Sequence, residues 1–179
     1  MTALPTPVDL PGIWQRELLE TGDGHRDETT LVLWFQARSL YCDIRLPSEG
    51  TAAQTDTFAG RITLSSEADH LRCTWHRHLD WTASKGGESA ADIGLLKWTG
   101  EGSARRLRED GAEAPYFEIW QKRAEASPGD GAAELRDNQG REAFVTWVGD
   151  EALLIRETAA GLDAVLAERS AAGTWHEGR

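Results

Sequence analysis

Short clusters of turn-forming residues divide the sequence at regular intervals, and this spacing constrains the fold more than any other feature. Gly, Asp, Asn and Pro clusters are typical of strand ends and hairpin turns. They lie at 21–24, 48–50, 85–87, 99–102, 109–111, 127–131, 137–140 and 149–150. The segments between them, about six to ten residues long, are rich in β-branched and aromatic residues, as strands are. Short strands at regular spacing predict an all-β sandwich or barrel.

Nine segments have the composition of strands, and we predict a single antiparallel β-barrel of about 8–10 strands. The segments are 13–19, 30–36, 40–46, 60–64, 71–81, 94–98, 116–122, 142–148 and 152–157. Residues 162–176 stay open, because a short C-terminal helix and closing strands both fit their apolar spacing. Residues 1–11 contain three prolines and predict an extended lead-in, so the barrel would occupy residues 12–179.

The overall charge argues against nucleic acid as a partner. The chain of 179 residues has 30 acidic and 19 basic side chains and a formal net charge of −11, whereas nucleic-acid binding needs a positive surface. The basic cluster of Arg105, Arg106 and Arg108 has acidic neighbours, and we interpret it as a solvated strand or turn face. No apolar run approaches the ~20 residues of a spanning helix, and the N-terminus does not have the pattern of a secretory signal. We expect a cytoplasmic monomer or homodimer that binds no membrane.

Tryptophan is unusually frequent, with eight Trp against two Tyr and four Phe. Residues two positions apart on a strand share a face, and this rule places a large aromatic beside a polar residue on five predicted strands. The pairs are Trp14 with Arg16, Trp34 with Gln36, Tyr41 with Asp43 and Arg45, Trp75 with Arg77, and Trp120 with Glu118. If the Trp side chains face the barrel interior, the charged ones do too. Buried charges then need partners, water or a ligand.

We interpret this pattern as a pocket, because a barrel of about eight strands can hold one small ligand and such sites combine apolar walls with a few polar groups. The predicted ligand-binding residues are Trp14, Arg16, Trp34, Gln36, Tyr41, Arg45, Trp75, Arg77 and Trp120. The arginines would hold an anionic or carbonyl group, with Asp43 and Glu118 as counter-charges or proton acceptors. The alternative for the same residues is a structural salt-bridge network that plugs one barrel end.

Three function hypotheses follow from this pocket. The first is binding of a small, partly apolar, anionic or carbonyl-bearing molecule. The second is a cofactor-independent isomerase, cyclase or lyase, in which Asp43 or Glu118 is the catalytic acid or base and an Arg stabilises an oxyanion. The sequence has no nucleophile elbow, P-loop or dinucleotide fingerprint, and we expect no cofactor. The third is a protein-interaction barrel with a filled interior.

Cysteines and histidines favour structural roles over metal binding. Cys42 and Cys73 are predicted on opposite strand faces, so we expect free thiols rather than a disulfide. A set of possible ligands shares the parity opposite to Trp75 and should lie on the outer face, where polar alternation is expected without a metal. The set comprises His70, His76, His78 and Asp80.

The N-terminal strand begins with Gly12-Ile13-Trp14, which resembles the Gly-x-Trp signature of the calycin superfamily. Three further segments resemble small lipocalin-like proteins, so that the resemblance spans roughly residues 12–157. They are Trp34-Phe35-Gln36, the run from Tyr41 to Pro47, and the stretch from Cys73 to Arg77. The resemblance implies a barrel that binds a small hydrophobic ligand, with Arg156 or Arg169 packed against Trp14 in a cation–π contact. It does not imply catalysis.

Overall fold

The computed structural model describes residues 4–48, 56–84 and 92–177. The strands are β1 (Gly12–Thr21), β2 (Arg26–Asp27), β3 (Leu31–Ala37), β4 (Leu40–Leu46), β5 (Asp56–Ser66), β6 (Leu71–Asp80), β7 (Asp92–Thr99), β8 (Arg106–Gly111), β9 (Tyr116–Glu125), β10 (Gly131–Arg136), β11 (Glu142–Val148), β12 (Glu151–Thr158), β13 (Gly161–Arg169) and β14 (Trp175–Glu177). The helical elements are α1 (Trp81–Ser84) and the 3-10 turns Pro7–Asp9 and Gly102–Ala104. The all-β prediction is confirmed, and the open segment after residue 161 forms strands. No helix in the described ranges is long and apolar enough to span a membrane.

Eight strands, β1 and β3 to β9, close into an antiparallel barrel. Each pairs with its neighbour in sequence, and β9 returns to pair with β1 along its whole length. The short β2 extends one end beside β1. At the closure Gly12 has a φ of +148°, and a Cβ there would lie 2.3 Å from the Ala124 carbonyl oxygen. Closure leaves the barrel without an unpaired edge, and the barrel prediction is confirmed.

The five strands β10 to β14 form a second antiparallel sheet that packs on the outside of the barrel. Its inner face presents Phe144, Leu153 and Ile155 to an apolar cluster on the barrel's outer face, which includes Leu33 and Phe35. The prediction that β11 and β12 are barrel strands is wrong, because the barrel already closes where Glu125 of β9 pairs with Gly12 of β1. Because β9 is paired with β1, it offers no edge to which a further strand could be added.

Strand β3 is buried on both sides, and this explains its composition. Val32 and Trp34 face the barrel interior, whereas Leu33 and Phe35 face the second sheet. A strand covered on both faces is apolar throughout rather than alternating. The uninterrupted apolar run from Leu31 to Phe35 therefore indicates that a second layer packs against the outer face of this strand.

The two cysteines are free and buried, on opposite faces as predicted. Cys73 lies in the barrel interior, and Cys42 lies beneath the second sheet, where the Thr146 hydroxyl donates to its sulfur at 3.6 Å. Burial raises the pKa of the Cys42 thiol to about 12, so this sulfur stays protonated and behaves as a small apolar group.

One end of the barrel, which we call the closed end, is sealed by the N-terminal segment. Leu10 is fully buried there, and the Trp14 indole donates to the Leu10 carbonyl at 2.8 Å. The Lys122 ammonium lies 4.9 Å from the centre of the Trp14 ring and donates to the Asp9 carbonyl. The Trp14 side chain thus has an acceptor for its single N–H, and a cation lies over the face of its ring.

The expectation that Arg156 or Arg169 would pack on Trp14 is wrong. Arg156 pairs with Asp163, and Arg169 pairs with Asp150. Both arginines belong to the second sheet, so neither can reach the barrel interior. A lysine of β9, the last barrel strand, has the role that the resemblance assigned to an arginine.

Candidate functional site

The charged side chains of the barrel interior gather at the end opposite the closed end, which we call the polar end. At this end β3, β5, β7 and β9 begin, and β4, β6 and β8 finish. Its inward-facing charged residues are Arg16, Asp43, Arg45, Arg77, Asp80, Asp92, Glu109 and Glu118. All eleven residues singled out from the sequence face the interior, but they divide between the two ends.

Arg16 is held by two carboxylates. Its guanidinium lies 2.9 Å from Glu118 Oε1 and 2.6 Å from Asp27 Oδ2. Burial opposes ionisation of Asp27, but the backbone N–H groups of Thr29 and Thr30 donate to its carboxylate and, with Arg16, hold its pKa well below the usual value. Arg16 is therefore committed to a structural ion-pair network, in agreement with the plug alternative for this residue.

Asp43 and Arg45 form a second pair on β4. The Arg45 Nε lies 3.1 Å from Asp43 Oδ1, and its guanidinium lies 4.9 Å from the centre of the Phe58 ring. Burial raises the pKa of Asp43 to about 6, although Arg45 opposes the shift. The Arg45 side chain is 26% exposed against 5% for Asp43, so the arginine lies between the carboxylate and solvent.

Arg77 bridges Asp80 at 3.3 Å and Asp92 at 3.0 Å, and it stacks 3.8 Å from the centre of the Phe58 ring. The prediction that Asp80 lies on the outer face is wrong. Gly60 pairs with Arg77 whereas Ala59 pairs with Leu79, so β6 has one extra residue at this point. A β-bulge of this kind reverses the alternation beyond it, which turns Asp80 inward.

Glu109 is an interior carboxyl that the sequence analysis did not predict. It is 3% exposed, and no Lys or Arg among the described residues forms an ion pair with it. Its Oε2 accepts from the Trp120 indole at 3.1 Å, and its Oε1 lies 3.1 Å from the Tyr116 hydroxyl. Burial raises its pKa well above the ordinary value, and the nearby Glu118 and Asp92 raise it further.

The geometry around Tyr116 independently indicates a proton on this group. The Tyr116 oxygen lies 3.1 Å from Glu109 Oε1 and 3.1 Å from Asp92 Oδ1. A phenol has a single hydrogen to donate, so one of the two contacts is a hydrogen bond only if the carboxyl donates. Burial and the raised pKa of Glu109 favour this carboxyl, rather than Asp92, as the one that donates.

Sequence reasoning missed Glu109 because Glu109-Asp110-Gly111 has the composition of a turn. In the structure these residues form the end of β8. The available signal was alternation, since Leu107 and Glu109 are buried while Arg108 between them is not. Phe58 and Asp92 were missed as well.

The interior space at the polar end is small. A cavity of about 10 Å³ lies there, which is the space of about one water molecule. It is lined by Trp34, Asp43, Arg45, Phe58, Trp75, Asp92, Glu109, Glu118 and Trp120. Six of the eleven residues predicted for the site belong to this lining. The other five, Trp14, Arg16, Gln36, Tyr41 and Arg77, do not.

Three buried donors in or near the polar end have no acceptor among the described residues. They are the indole N–H of Trp34, the hydroxyl of Tyr41 and the Nε of Arg77. Trp34 lines the cavity, with its ring centre 5.5 Å from that of Trp75 and 5.7 Å from that of Trp120. Leaving a buried donor unpaired costs about 1–3 kcal/mol, so these groups favour an acceptor from outside the chain.

A larger depression lies on the exposed face of the second sheet. It has a volume of about 450 Å³ and is lined mainly by apolar residues, among them Val145, Trp147, Leu154, Val165 and Trp175. Trp175 is 39% exposed. This face is the counterpart of the one that packs on the barrel, and an apolar surface of this kind is typical of contact with other molecules.

The histidines have other partners. His70 lies 2.6 Å from Asp69, His76 lies 2.9 Å from the Thr63 hydroxyl, and the His78 ring packs on Phe144. Within residues 4–48, 56–84 and 92–177 no three His, Cys, Asp or Glu side chains form a group that could hold a metal ion.

Comparison with known proteins finds no matching family model, no matching curated protein and no matching solved structure. The site is therefore interpreted from its own geometry and chemistry.

Proposed function

We propose that the protein binds a small, partly apolar, carbonyl-bearing molecule at the polar end of the barrel. The observation that carries this proposal is Trp34, which lines the cavity and has a buried N–H without an acceptor among the described residues. A carbonyl oxygen is the acceptor that such a donor needs. Trp75 and Trp120 supply apolar walls on either side, as in other small-molecule sites.

The arginines favour a neutral carbonyl over an anionic group. Arg16, Arg45 and Arg77 each already pair with at least one carboxylate. An anion would have to break one of these pairs, and an ion pair opened in the interior leaves an uncompensated charge. A carbonyl needs only the donors that are free.

Entry of a ligand requires the cavity to widen. Its 10 Å³ suffices for a single small group. Arg45 and Asp92 are the most exposed of the charged lining residues, at 26% and 28%. Outward rotation of these two side chains opens the interior without disturbing the apolar closed end.

Quenching of tryptophan fluorescence by a panel of amides and ketones tests the proposal, with thermal stability as a second readout. We expect Trp34→Phe to weaken binding of an amide about tenfold, because one hydrogen bond to a buried acceptor contributes roughly 1.4 kcal/mol. The control is Trp147→Phe on the second sheet, which should leave the affinity unchanged. If no compound quenches the fluorescence or raises Tm, the proposal is wrong.

Catalysis by Asp43 is a second candidate function, favoured by its pKa of about 6. A general acid or base works best with a pKa near the working pH. Glu118 is the weaker choice because Arg16 holds it. If a bound ligand is consumed and Asp43→Asn stops its loss while binding persists, the protein is a cofactor-independent enzyme rather than a carrier.

A protein-interaction role is favoured by two observations, the small interior space and the apolar face of the second sheet. In this alternative the polar end is a structural network. Substitution of Trp175 would then impair partner binding, whereas Trp34→Phe would have no effect on any small molecule.

We also propose that the chain belongs to the calycin superfamily and is cytoplasmic, as a monomer or homodimer. The closed barrel, the strand that begins Gly12-Ile13-Trp14, and Lys122 stacked on Trp14 support the family. The two buried cysteines are free thiols, which fits a reducing compartment.

A further inference from the structure

We infer that the molecule bound at the polar end carries a positive charge, as an ammonium group placed among the cavity carboxyls. This inference rests on the proposed function and names the chemical class of its ligand. The sequence pattern alone pointed to an anionic or carbonyl group, held by arginines. The structure shows that those arginines lie among a larger number of carboxyl groups.

Carboxyl groups outnumber guanidinium groups at the cavity by four to one. The lining contains four carboxyls and the single guanidinium of Arg45. Including Arg16 and Arg77 does not remove the excess, because these two also contact Asp27 and Asp80. Among the described residues six carboxyls then face three guanidinium groups, so that acidic groups remain in excess at this end.

Uncompensated buried carboxyls are neutralised either by a proton or by a cation. Glu109 illustrates the first solution, since its two contacts with Tyr116 and Trp120 and its burial away from any described cation favour a protonated carboxyl. A bound ammonium supplies the second solution, and it would displace that proton. The cation and the proton therefore compete for one place.

The aromatic walls also favour a cation. Trp34, Trp75 and Trp120 surround the carboxyls, and the faces of indole rings attract cations. The interior already uses this interaction, since Arg77 stacks on Phe58 at 3.8 Å. A primary ammonium group is about as large as the water molecule that a cavity of 10 Å³ can hold.

Trp34 shows that the acidic cluster is part of a binding site. Its side chain is 1% exposed, lines the same cavity, and has an N–H that no described residue accepts. A ligand that provides an acceptor for Trp34 and an ammonium for Glu109 satisfies both deficits at once. An amino-carbonyl compound has both groups.

Three compounds of equal size test the charge directly. Benzylamine is cationic, benzamide is a neutral carbonyl and benzoate is anionic, and each is titrated against the tryptophan fluorescence of the whole chain. We expect benzylamine to bind at least tenfold more tightly than benzoate. If benzamide binds and benzylamine does not, the inference is overturned while the proposed function stands. If benzoate alone binds, both are overturned, because the proposed function requires a neutral carbonyl. If none of the three binds, both fail.

Glu109→Gln separates a cation site from a general apolar pocket. Gln keeps the shape and the neutral hydrogen bonding of a protonated Glu109 but cannot gain a negative charge. We expect the variant to bind benzylamine about tenfold more weakly and to bind benzamide as before. Asp110→Asn is the matched control, because Asp110 follows Glu109 on β8, on the outer face beside Arg108. Equal weakening by both variants would overturn the inference.

The pH dependence of binding provides an independent readout. The groups that face Glu109 are Asp92 from β7, Tyr116 and Glu118 from β9, Arg45 from β4 and Cys73 from β6. Because benzylamine displaces the Glu109 proton, its affinity should rise as the pH rises, while benzamide affinity stays constant. A smaller pH dependence is expected in Glu109→Gln, because Asp43 lines the same cavity and, with its pKa raised to about 6, still ionises as the pH rises. A benzylamine affinity that falls with rising pH would overturn the inference.

Discussion

Two stacked tryptophans in the barrel interior differ in their hydrogen bonding, since the indole N–H of one has an acceptor and that of the other has none among the described residues. The rings of Trp14 and Trp34 lie 5.8 Å apart and nearly parallel, and both are 1% exposed. Trp14 donates to the Leu10 carbonyl, whereas Trp34 has no acceptor among the described residues. Trp14 thus completes its hydrogen bonding within the chain, while Trp34, which lines the cavity, keeps a donor that needs an external partner.

This difference assigns separate roles to the two ends. The closed end is apolar, with Leu10 sealing it, and it stabilises the fold through burial. Burial of carboxyl groups at the polar end lowers the stability of the fold, and a local loss of stability of this kind is typical of functional sites. Substitutions should therefore affect stability at one end and protonation or binding at the other.

The largest effect on stability is expected at the closed end. Trp14→Ala should reduce the free energy of unfolding by about 3–5 kcal/mol, the usual cost of removing a buried aromatic side chain. Chemical denaturation measures this change. Trp175→Ala, at a position 39% exposed, is the control and should cost far less. Equal losses for the two variants would contradict the assignment of the closed end as the stabilising half.

The next effect concerns the pH dependence of stability at the polar end. Burial raises the pKa of Asp43 from 3.8 to about 6, so between these values the folded state binds a proton that the unfolded state has released. Stability is then lost as the pH rises from 4 to 6, by on the order of 3 kcal/mol from this group. Asp43→Asn should remove that part of the loss.

Denaturation of the wild-type chain and Asp43→Asn across this pH range checks the prediction. The difference in stability between them should change in favour of the variant as the pH rises. Asp137→Asn is the control, because Asp137 is exposed and its pKa is lowered by Arg141. The stability difference between wild type and this variant should therefore change with pH in the opposite direction. A constant difference between wild type and Asp43→Asn would show that Asp43 is not protonated in this range.

Much of the fold and part of the site could be predicted from the sequence. Alternation placed Trp34 and Gln36 on one face, because the side-chain period of a regular strand depends on local geometry alone. It failed for Asp80, since the bulge is specified by the pairing of β5 with β6 and not by β6 itself. The alternation of side chains in a regular strand can be predicted from that strand's own sequence. A bulge cannot, because it depends on the pairing with the neighbouring strand.

The second sheet and Glu109 were missed for related reasons. The composition of β11 and β12 is equally suitable for barrel strands, and only the closure of β1 on β9 separates them. Glu109 has a sequence context of charged residues, in which a buried position is not apparent. The burial of Glu109 follows from the contacts of β8 with both neighbouring strands, as do its hydrogen bonds with Tyr116 and Trp120.

The smallest expected effect is the one most specific to the polar end. Glu109→Gln should change the free energy of unfolding by less than about 1 kcal/mol at neutral pH. A protonated Glu109 donates to the Tyr116 oxygen and accepts from the Trp120 indole, and a Gln amide can do both with the same geometry. If Glu109 were ionised, the amide would replace an accepting oxygen with a donor, and the Tyr116 hydroxyl would lose a partner.

Denaturation of Glu109→Gln beside Glu118→Gln tests this argument with matched substitutions. Glu118 accepts from Arg16 at 2.9 Å in a buried pair, so its amide should cost about 3 kcal/mol by leaving the guanidinium charge without a full partner. A cost for Glu109→Gln as large as that for Glu118→Gln would mean that Glu109 is ionised in the folded chain. Glu109 and Glu118, on adjacent strands, would then both be ionised. Glu109 would have no proton for a bound cation to displace.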